Sequence, residues 1–251
     1  MPDSPLPIRT TAEGLACGDV QIPSGPDRLP AFVARPAGQA ARATILVVQE
    51  IFGVHEHIRD LCRRLAHAGY LAVAPELYFR QGDPRTIAEV PRLLSEIVAR
   101  VPDAQVLAHL DTTAGWARGQ CDGALGITGF CWGGRIVWLY AAHNPALRAG
   151  VAWYGRIRNG FHPGDTLQPI DVATRLTAPV LGLYGGLDQS IPVEDVEAMR
   201  ALVTRGDPAG DVVLYPQAGH AFLADYRPMY QRAAAEDGWQ RMLDWFATRG
   251  L

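Results

Sequence analysis

Cys131 sits in the stretch Gly129-Phe130-Cys131-Trp132-Gly133-Gly134, with small residues two places to either side of it. A short apolar run, Ala124-Leu125-Gly126-Ile127-Thr128, comes before it, and a helix-like stretch, Arg135 to Tyr140, comes after. A strand that turns sharply into a helix around a nucleophile has this pattern, usually as Gly-x-Ser-x-Gly, and holds the nucleophile in strained backbone geometry above a sheet. The glycines are required because strand and helix pass too close together for side chains. Here the central residue is a cysteine, so the chemistry is that of a thiolate. A free thiol has a pKa of about 8.5, and only a few per cent of it is ionised at neutral pH without help. The N-terminus of the helix after Cys131 and a neighbouring imidazole would both supply that help.

Two further residues complete a nucleophile–base–acid set. Asp188 follows Gly185-Gly186-Leu187 after one late apolar run, and His220 follows Gln217-Ala218-Gly219 after the last. The order nucleophile, acid, histidine is that of the α/β hydrolases. In such a set Asp188 holds the imidazole of His220 in the useful tautomer and stabilises its charged form. The backbone N–H groups of Trp132 and Ile51 are suited to bind a developing oxyanion: one follows the nucleophile, and the other lies on an early strand–helix loop. One such donor is worth about 2.7–4 kcal/mol of barrier. Glu50 ends a buried strand, where a carboxylate serves either the reaction or the anchoring of a loop.

The elements that must position these groups alternate between strand and helix. β-like runs fall around Asp19–Ile22 and Ala31–Ala34, with the turn signal Pro23-Ser24-Gly25-Pro26 between them. Ala43–Val48 and Tyr70–Ala74 read as strands buried on both faces. Between them His57–Ala68 has Ile58, Leu61, Cys62 and Leu65 on one helical face, closed by Gly69. Two helices are predicted near Arg85–Arg100 and Asp103–Gln120. Further strands fall at Gly150–Gly155, Val180–Gly186 and Asp211–Tyr215, with a helix at Pro192–Val203. Trp239, Met242, Leu243 and Phe246 mark a C-terminal amphipathic helix. Such alternation predicts the α/β class, with a mostly parallel central sheet and helices on both faces. Residues 1–251 read as a single domain, with residues 1–16, polar and proline-rich, as an N-terminal arm.

With 251 residues, 48% of them hydrophobic and 20% charged, the chain can bury a large core without staples. The formal net charge of −3, with no block of Lys or Arg, argues against nucleic acid as a partner. No run is apolar enough to span a bilayer, so no membrane partner is expected either. The first seven residues carry no secretory signal pattern. Cys17, Cys62 and Cys121 read as ordinary apolar residues, and no Cys or His spacing suits a metal. The expected setting is a reduced cytosol.

At this point the chain resembles the dienelactone hydrolase family, a cysteine-nucleophile branch of the α/β hydrolases. The resemblance runs from about Asp19 to Phe246. It is carried by Gln49-Glu50-Ile51-Phe52-Gly53, Leu77-Tyr78-Phe79-Arg80, the Cys131 stretch, Gly185-Gly186-Leu187-Asp188 and Gly219-His220-Ala221-Phe222. It implies the α/β-hydrolase fold, a triad of Cys131, His220 and Asp188, and hydrolysis of an enol-lactone or small carboxylate-bearing ester through an acyl-enzyme. It also implies that no metal or organic cofactor is required. By resemblance Glu50 interacts with the cysteine and helps form the thiolate, and Arg80 binds the substrate carboxylate by two parallel hydrogen bonds. Lactone-cleaving members carry a second arginine four residues beyond the histidine. This chain has Ala224 there, and the nearby Arg227 is the candidate to take its place. Two other readings stand beside this one: a promiscuous carboxylesterase with a different acyl substrate, and a redox-responsive or ligand-binding protein that reuses the fold without catalysis.

Overall fold

The computed structural model describes residues 7–251. Two ten-residue strands open the fold, β1 (Leu15–Ser24) and β2 (Asp27–Pro36), paired as an antiparallel hairpin across the Gly25-Pro26 turn. They are longer than the apolar runs alone suggest, because the ladder continues through polar residues at both ends. Six strands follow: β3 (Thr44–Val48), β4 (Leu71–Pro75), β5 (Leu125–Phe130), β6 (Leu147–Trp153), β7 (Val180–Gly185) and β8 (Asp211–Tyr215). The sheet order is β1-β2-β4-β3-β5-β6-β7-β8, and β3 to β8 are mutually parallel. β3 and β4 are buried along their whole length, as their unbroken apolar sequence requires.

The helices are α1 (Glu56–His67), α2 (Val90–Glu96), α3 (Asp103–Arg118), α4 (Trp132–His143), α5 (Pro169–Val172), α6 (Val193–Val203) and α7 (Arg232–Ala247). Residues 150 and 153 of β6 are three apart, so they face opposite sides of the sheet. The Gly150 side meets Val137 of α4, and Trp153 packs against Gly238 of α7. Helices therefore cover both faces, and one contiguous core of buried residues runs between them. The long helix expected near Arg85–Arg100 is instead a 3-10 turn at Pro84–Thr86, an extended link and the two-turn α2. Pro91 has no N–H to donate back to Ile87, so an α-helix cannot run through from Arg85.

The part of the expected arm at residues 7–14 is tied to α1, and its first six residues lie outside those described. The Thr10 N–H donates to Asp60 Oδ1 at 2.6 Å, and Arg63 Nε returns a bond to the Thr10 carbonyl at 3.0 Å. Among the described residues no helix is long and apolar enough to cross a membrane.

Because β3, β5, β6, β7 and β8 are parallel, their carboxyl ends open along one edge. Glu50, Cys131, Tyr154, Asp188 and His220 each follow one of these ends, which is where an open α/β sheet collects reactive groups.

Candidate active site

The turn from β5 to α4 places Cys131 at φ 55° and ψ −112°, in the left-handed region that non-glycine residues seldom occupy. The turn is this tight because strand and helix touch. A Cβ on Gly129 would lie 2.4 Å from the Gly133 carbonyl oxygen, and one on Gly133 would lie 2.4 Å from that of Val48. The strain lifts the thiol out of the sheet to the N-terminus of α4, where unpaired N–H groups carry partial positive charge. Tyr154 at φ 39° and Ala221 at φ 59°, which follow β6 and adjoin His220, are held in the same region. Backbone strain thus gathers around the thiol, as it does at functional sites.

His220 Nε2 lies 3.1 Å from Cys131 Sγ, and His220 Nδ1 lies 2.6 Å from Asp188 Oδ2. An ionised carboxylate only accepts, so Nδ1 carries the proton. Asp188 Oδ1 accepts from the Ser190 N–H at 2.8 Å and from Ser190 Oγ at 2.7 Å. Burial pushes the Asp188 carboxyl up, but the bonds from His220 and Ser190 outweigh it and hold the group below the usual carboxylate range. Burial likewise disfavours an imidazolium at His220. The Cys131 sulfur and Asp188 outweigh it and raise the pKa of His220 to about 10.

Cys131, Trp132, Ile51 and His220 line one cavity of about 120 Å³, together with Leu94, Tyr154, Arg156, Phe161 and Ser190. Among the described residues, the N–H groups of Trp132 and Ile51 have no backbone acceptor. A larger cavity of about 480 Å³ lies between α3, α4 and the segment around Leu167, and none of Cys131, Asp188 and His220 lines it. The candidate site is therefore picked out by the strained thiol and its two partners and not by volume.

Glu50 is buried, with only 1% of its side chain exposed, and its hydrogen bonds go elsewhere than to the thiol. Tyr226 Oη donates to Glu50 Oε2 at 2.8 Å, and His55 Nε2 lies 3.3 Å from the same oxygen. Burial alone would raise the Glu50 pKa, but His55, His57 and Tyr226 together lower it to about 2. Asp225, next to Tyr226, accepts from Arg64 at 2.6 Å and lies 3.3 Å from His57 Nδ1. The loop that carries Tyr226 is thereby tied to α1. The contact with Cys131 that the resemblance implies for Glu50 is not among its hydrogen bonds.

Neither of the two expected carboxylate-binding arginines is among the residues that line the thiol cavity. Arg80 donates to Asp27 Oδ2 at 2.6 Å, at the first residue of β2, with 43% of its side chain exposed. Arg227 lies over the Phe52 ring, 5.6 Å from its centroid. Neither lines the cavity; Arg156, which the sequence reading passed over, does. His55, Tyr226 and Ser190 were passed over as well. Their partners lie from two to 176 positions away along the chain, and only Ser190, two residues after Asp188, carried a local signal.

The sequence pattern of the dienelactone hydrolase family matches residues 29–250. A protein of Salmonella typhimurium, provisionally named a carboxymethylenebutenolidase, is 58% identical over 252 residues, covering 99% of this chain and 93% of its own. A counterpart in Escherichia coli with the same provisional name is 56% identical, with 97% and 91% covered. The crystal structure of a provisionally named dienelactone hydrolase from Klebsiella pneumoniae superposes with a TM-score of 0.89 at 56% identity, covering 93% of this chain and 98% of that one. A dienelactone hydrolase-like promiscuous phosphotriesterase from metagenomic libraries shares the fold, with a TM-score of 0.75 at 24% identity. The chain belongs to the dienelactone hydrolase family, a family of α/β-fold hydrolases.

Proposed function

We propose that this hydrolase cleaves compact enol-lactones or small carboxylate-bearing esters with Cys131 as nucleophile, His220 as base and acid, and Asp188 as the group that orients His220. The observation that carries the reading is the unbroken line from Cys131 Sγ to His220 Nε2 at 3.1 Å and from His220 Nδ1 to Asp188 at 2.6 Å. A raised His220 pKa of about 10 favours an imidazolium beside Cys131 Sγ before substrate arrives. A cavity of about 120 Å³ suits a small acyl group.

In this mechanism Cys131 Sγ attacks the carbonyl carbon while the N–H groups of Trp132 and Ile51 take the developing oxyanion. Collapse of the tetrahedral intermediate breaks the C–O bond, and the imidazolium of His220 gives its Nε2 proton to the departing oxygen. In a lactone that oxygen stays on the acyl chain as an enol, so ring opening releases no separate fragment. His220, now neutral at Nε2, takes a proton from the water that attacks the thioester carbonyl. Collapse of that intermediate breaks the C–S bond, returning Cys131 as thiolate beside the imidazolium with a carboxylic acid as product. Glu50 has a supporting part: its bonds to His55 and Tyr226 fix the start of the loop that presents the Ile51 N–H. Free cysteines, of which the structure has four, suit a reduced cytosolic setting.

The test is Cys131→Ala assayed on an enol-lactone and on 4-nitrophenyl acetate. The expected loss in kcat is at least about 10³-fold on both, with no burst of nitrophenolate. Retained turnover would reject the nucleophile. It would then favour a site that activates water directly.

A further inference from the structure

We propose that Arg156, on the loop after β6, holds the carboxylate of the substrate, in place of Arg80 and Arg227, the two arginines that the family resemblance brings forward. The inference rests on the reading of Cys131 as the nucleophile and adds the part of the site that selects the acyl group. Three observations lead to it.

The first is position. Arg156 lines the cavity that holds Cys131 and His220, and it also lines an adjoining cavity of about 270 Å³ between the residue 156–159 loop and Gln189–Asp195. Among the described residues it is the one arginine or lysine in the thiol cavity, and no Asp or Glu lines that cavity with it. Arg156 and Ser190 are shared by the two spaces, so a substrate whose carbonyl sits over Cys131 passes this guanidinium on leaving the inner one.

The second is commitment. Of the other guanidinium groups, Arg80 is engaged by Asp27 at 2.6 Å, Arg158 by Asp195 at 2.8 Å and Arg135 by Asp103 at 2.6 Å. Arg227, which like Arg156 lies over a ring and has no ion pair among the described residues, is not part of the lining of the thiol cavity. Arg156 has no carboxylate within 4.0 Å among the described residues, and its hydrogen bond to the Asn159 carbonyl is long, at 3.5 Å. It lies over the Phe161 ring with its central carbon 4.4 Å from the centroid. Such stacking holds the plane of the group while its in-plane N–H donors stay free for a planar, two-oxygen acceptor.

The third is an unpartnered donor on another wall residue of the same cavity. Tyr154 lines the same cavity, and its buried hydroxyl has no hydrogen-bond partner among the described groups. A buried hydroxyl left unpaired costs free energy, and a bound oxygen acceptor would remove that cost.

The experiment compares two substrates alike in shape and different in charge: an enol-lactone bearing a free carboxylate, and its methyl ester. The readout is the ratio of kcat/KM for acid over methyl ester in wild type, Arg156→Met, Arg156→Lys, Arg80→Met and Arg227→Met. Arg156→Met is expected to lower that ratio by roughly 10–100-fold, mainly through KM, the size of a lost charge-assisted hydrogen-bond pair. Arg156→Lys should recover part of it, since a point charge remains but the two-pronged geometry does not. An unchanged ratio in Arg156→Met, or a larger fall in Arg80→Met or Arg227→Met, overturns the proposal. The nitrophenolate burst from 4-nitrophenyl acetate is recorded with each variant. If the burst persists in Cys131→Ala, the nucleophile assignment is what fails, whatever the ratio shows.

Discussion

Asp188 and Glu50 invite comparison. Each is a buried carboxylate just past the end of a parallel strand, and each has a histidine nitrogen and a hydroxyl beside it: His220 and Ser190 for Asp188, His55 and Tyr226 for Glu50. In both, burial works against the charge and the hydrogen-bond donors win. The difference lies one atom further on. The second nitrogen of His220 meets Cys131 Sγ at 3.1 Å, whereas the ring of His55 meets Tyr226 and Phe52 edge to face. On the proposed function, the same local chemistry makes a relay where the imidazole has a thiol on its far side, and a structural anchor where it has a packed ring.

The largest effect that could break the comparison comes from neutralising each carboxylate. Asp188→Asn leaves the shape intact but lets His220 turn to the wrong tautomer, so kcat should fall by about 10³–10⁴-fold. Glu50→Gln should cost at least tenfold less in kcat, because its partners do not touch the sulfur. Steady-state kinetics on one ester decide this. Equal losses would show that Glu50 acts on the thiol directly and that its hydrogen bonds to His55 and Tyr226 belong to only one state of the enzyme.

The two pairs should also separate by pH. His220 has a raised pKa of about 10, and in the proposed mechanism the imidazolium is the form that protonates the leaving oxygen. The kcat/KM profile should therefore hold through neutral pH and fall as pH rises through about 10, and Asp188→Asn should move that limb down towards the ordinary histidine range. Glu50 acts on stability at the opposite end. Its folded pKa of about 2 lies below the ordinary 4.5. The stabilisation from its ionised form is thus present above pH 4.5 and is lost as pH falls towards 2. Thermal melts across that window should show a steeper acid loss in wild type than in Glu50→Gln.

What the sequence made legible follows the same division. The Cys131 turn could be read because its constraints are local: Gly129 and Gly133 stand where a Cβ would strike a backbone oxygen, and only such residues fit. The parallel sheet was legible for a similar reason, since strands buried on both faces must be written as unbroken apolar runs. Asp188 and His220 were singled out by their place after late strands, and the fold brings them together with Cys131. Tyr226 on Glu50 was out of reach, because the bond spans 176 positions and depends on how a loop lies against α1. The arginines show the same limit. The Leu77-Tyr78-Phe79-Arg80 pattern marked Arg80, but the β1–β2 hairpin brings Asp27 to it, and no local pattern foretells that partner. Arg156 stands in an undistinguished stretch and is singled out only by the walls around it.

The smallest effects provide the sharpest comparison, because they remove one hydroxyl from each carboxylate. Tyr226→Phe leaves Glu50 with His55 alone, at 3.3 Å and in a site almost without solvent, so an acceptor oxygen loses its better donor. A loss of about 1–3 kcal/mol in unfolding free energy is expected, with kcat little changed. Ser190→Ala removes the 2.7 Å bond to Asp188 but keeps the backbone N–H at 2.8 Å and His220 at 2.6 Å. Two donors remain, so stability should fall by no more than about 1 kcal/mol. The consequence here is for orientation: Ser190 Oγ also lies 3.5 Å from His220 Nδ1, and without it the imidazole has more room to swing from Cys131. A fall of a few-fold in kcat with almost no change in melting temperature is the expected signature, the reverse of Tyr226→Phe. Chemical denaturation and initial rates on the two variants are sufficient to compare them. If Ser190→Ala costs stability and Tyr226→Phe costs rate, the relay and the anchor have been assigned to the wrong carboxylates.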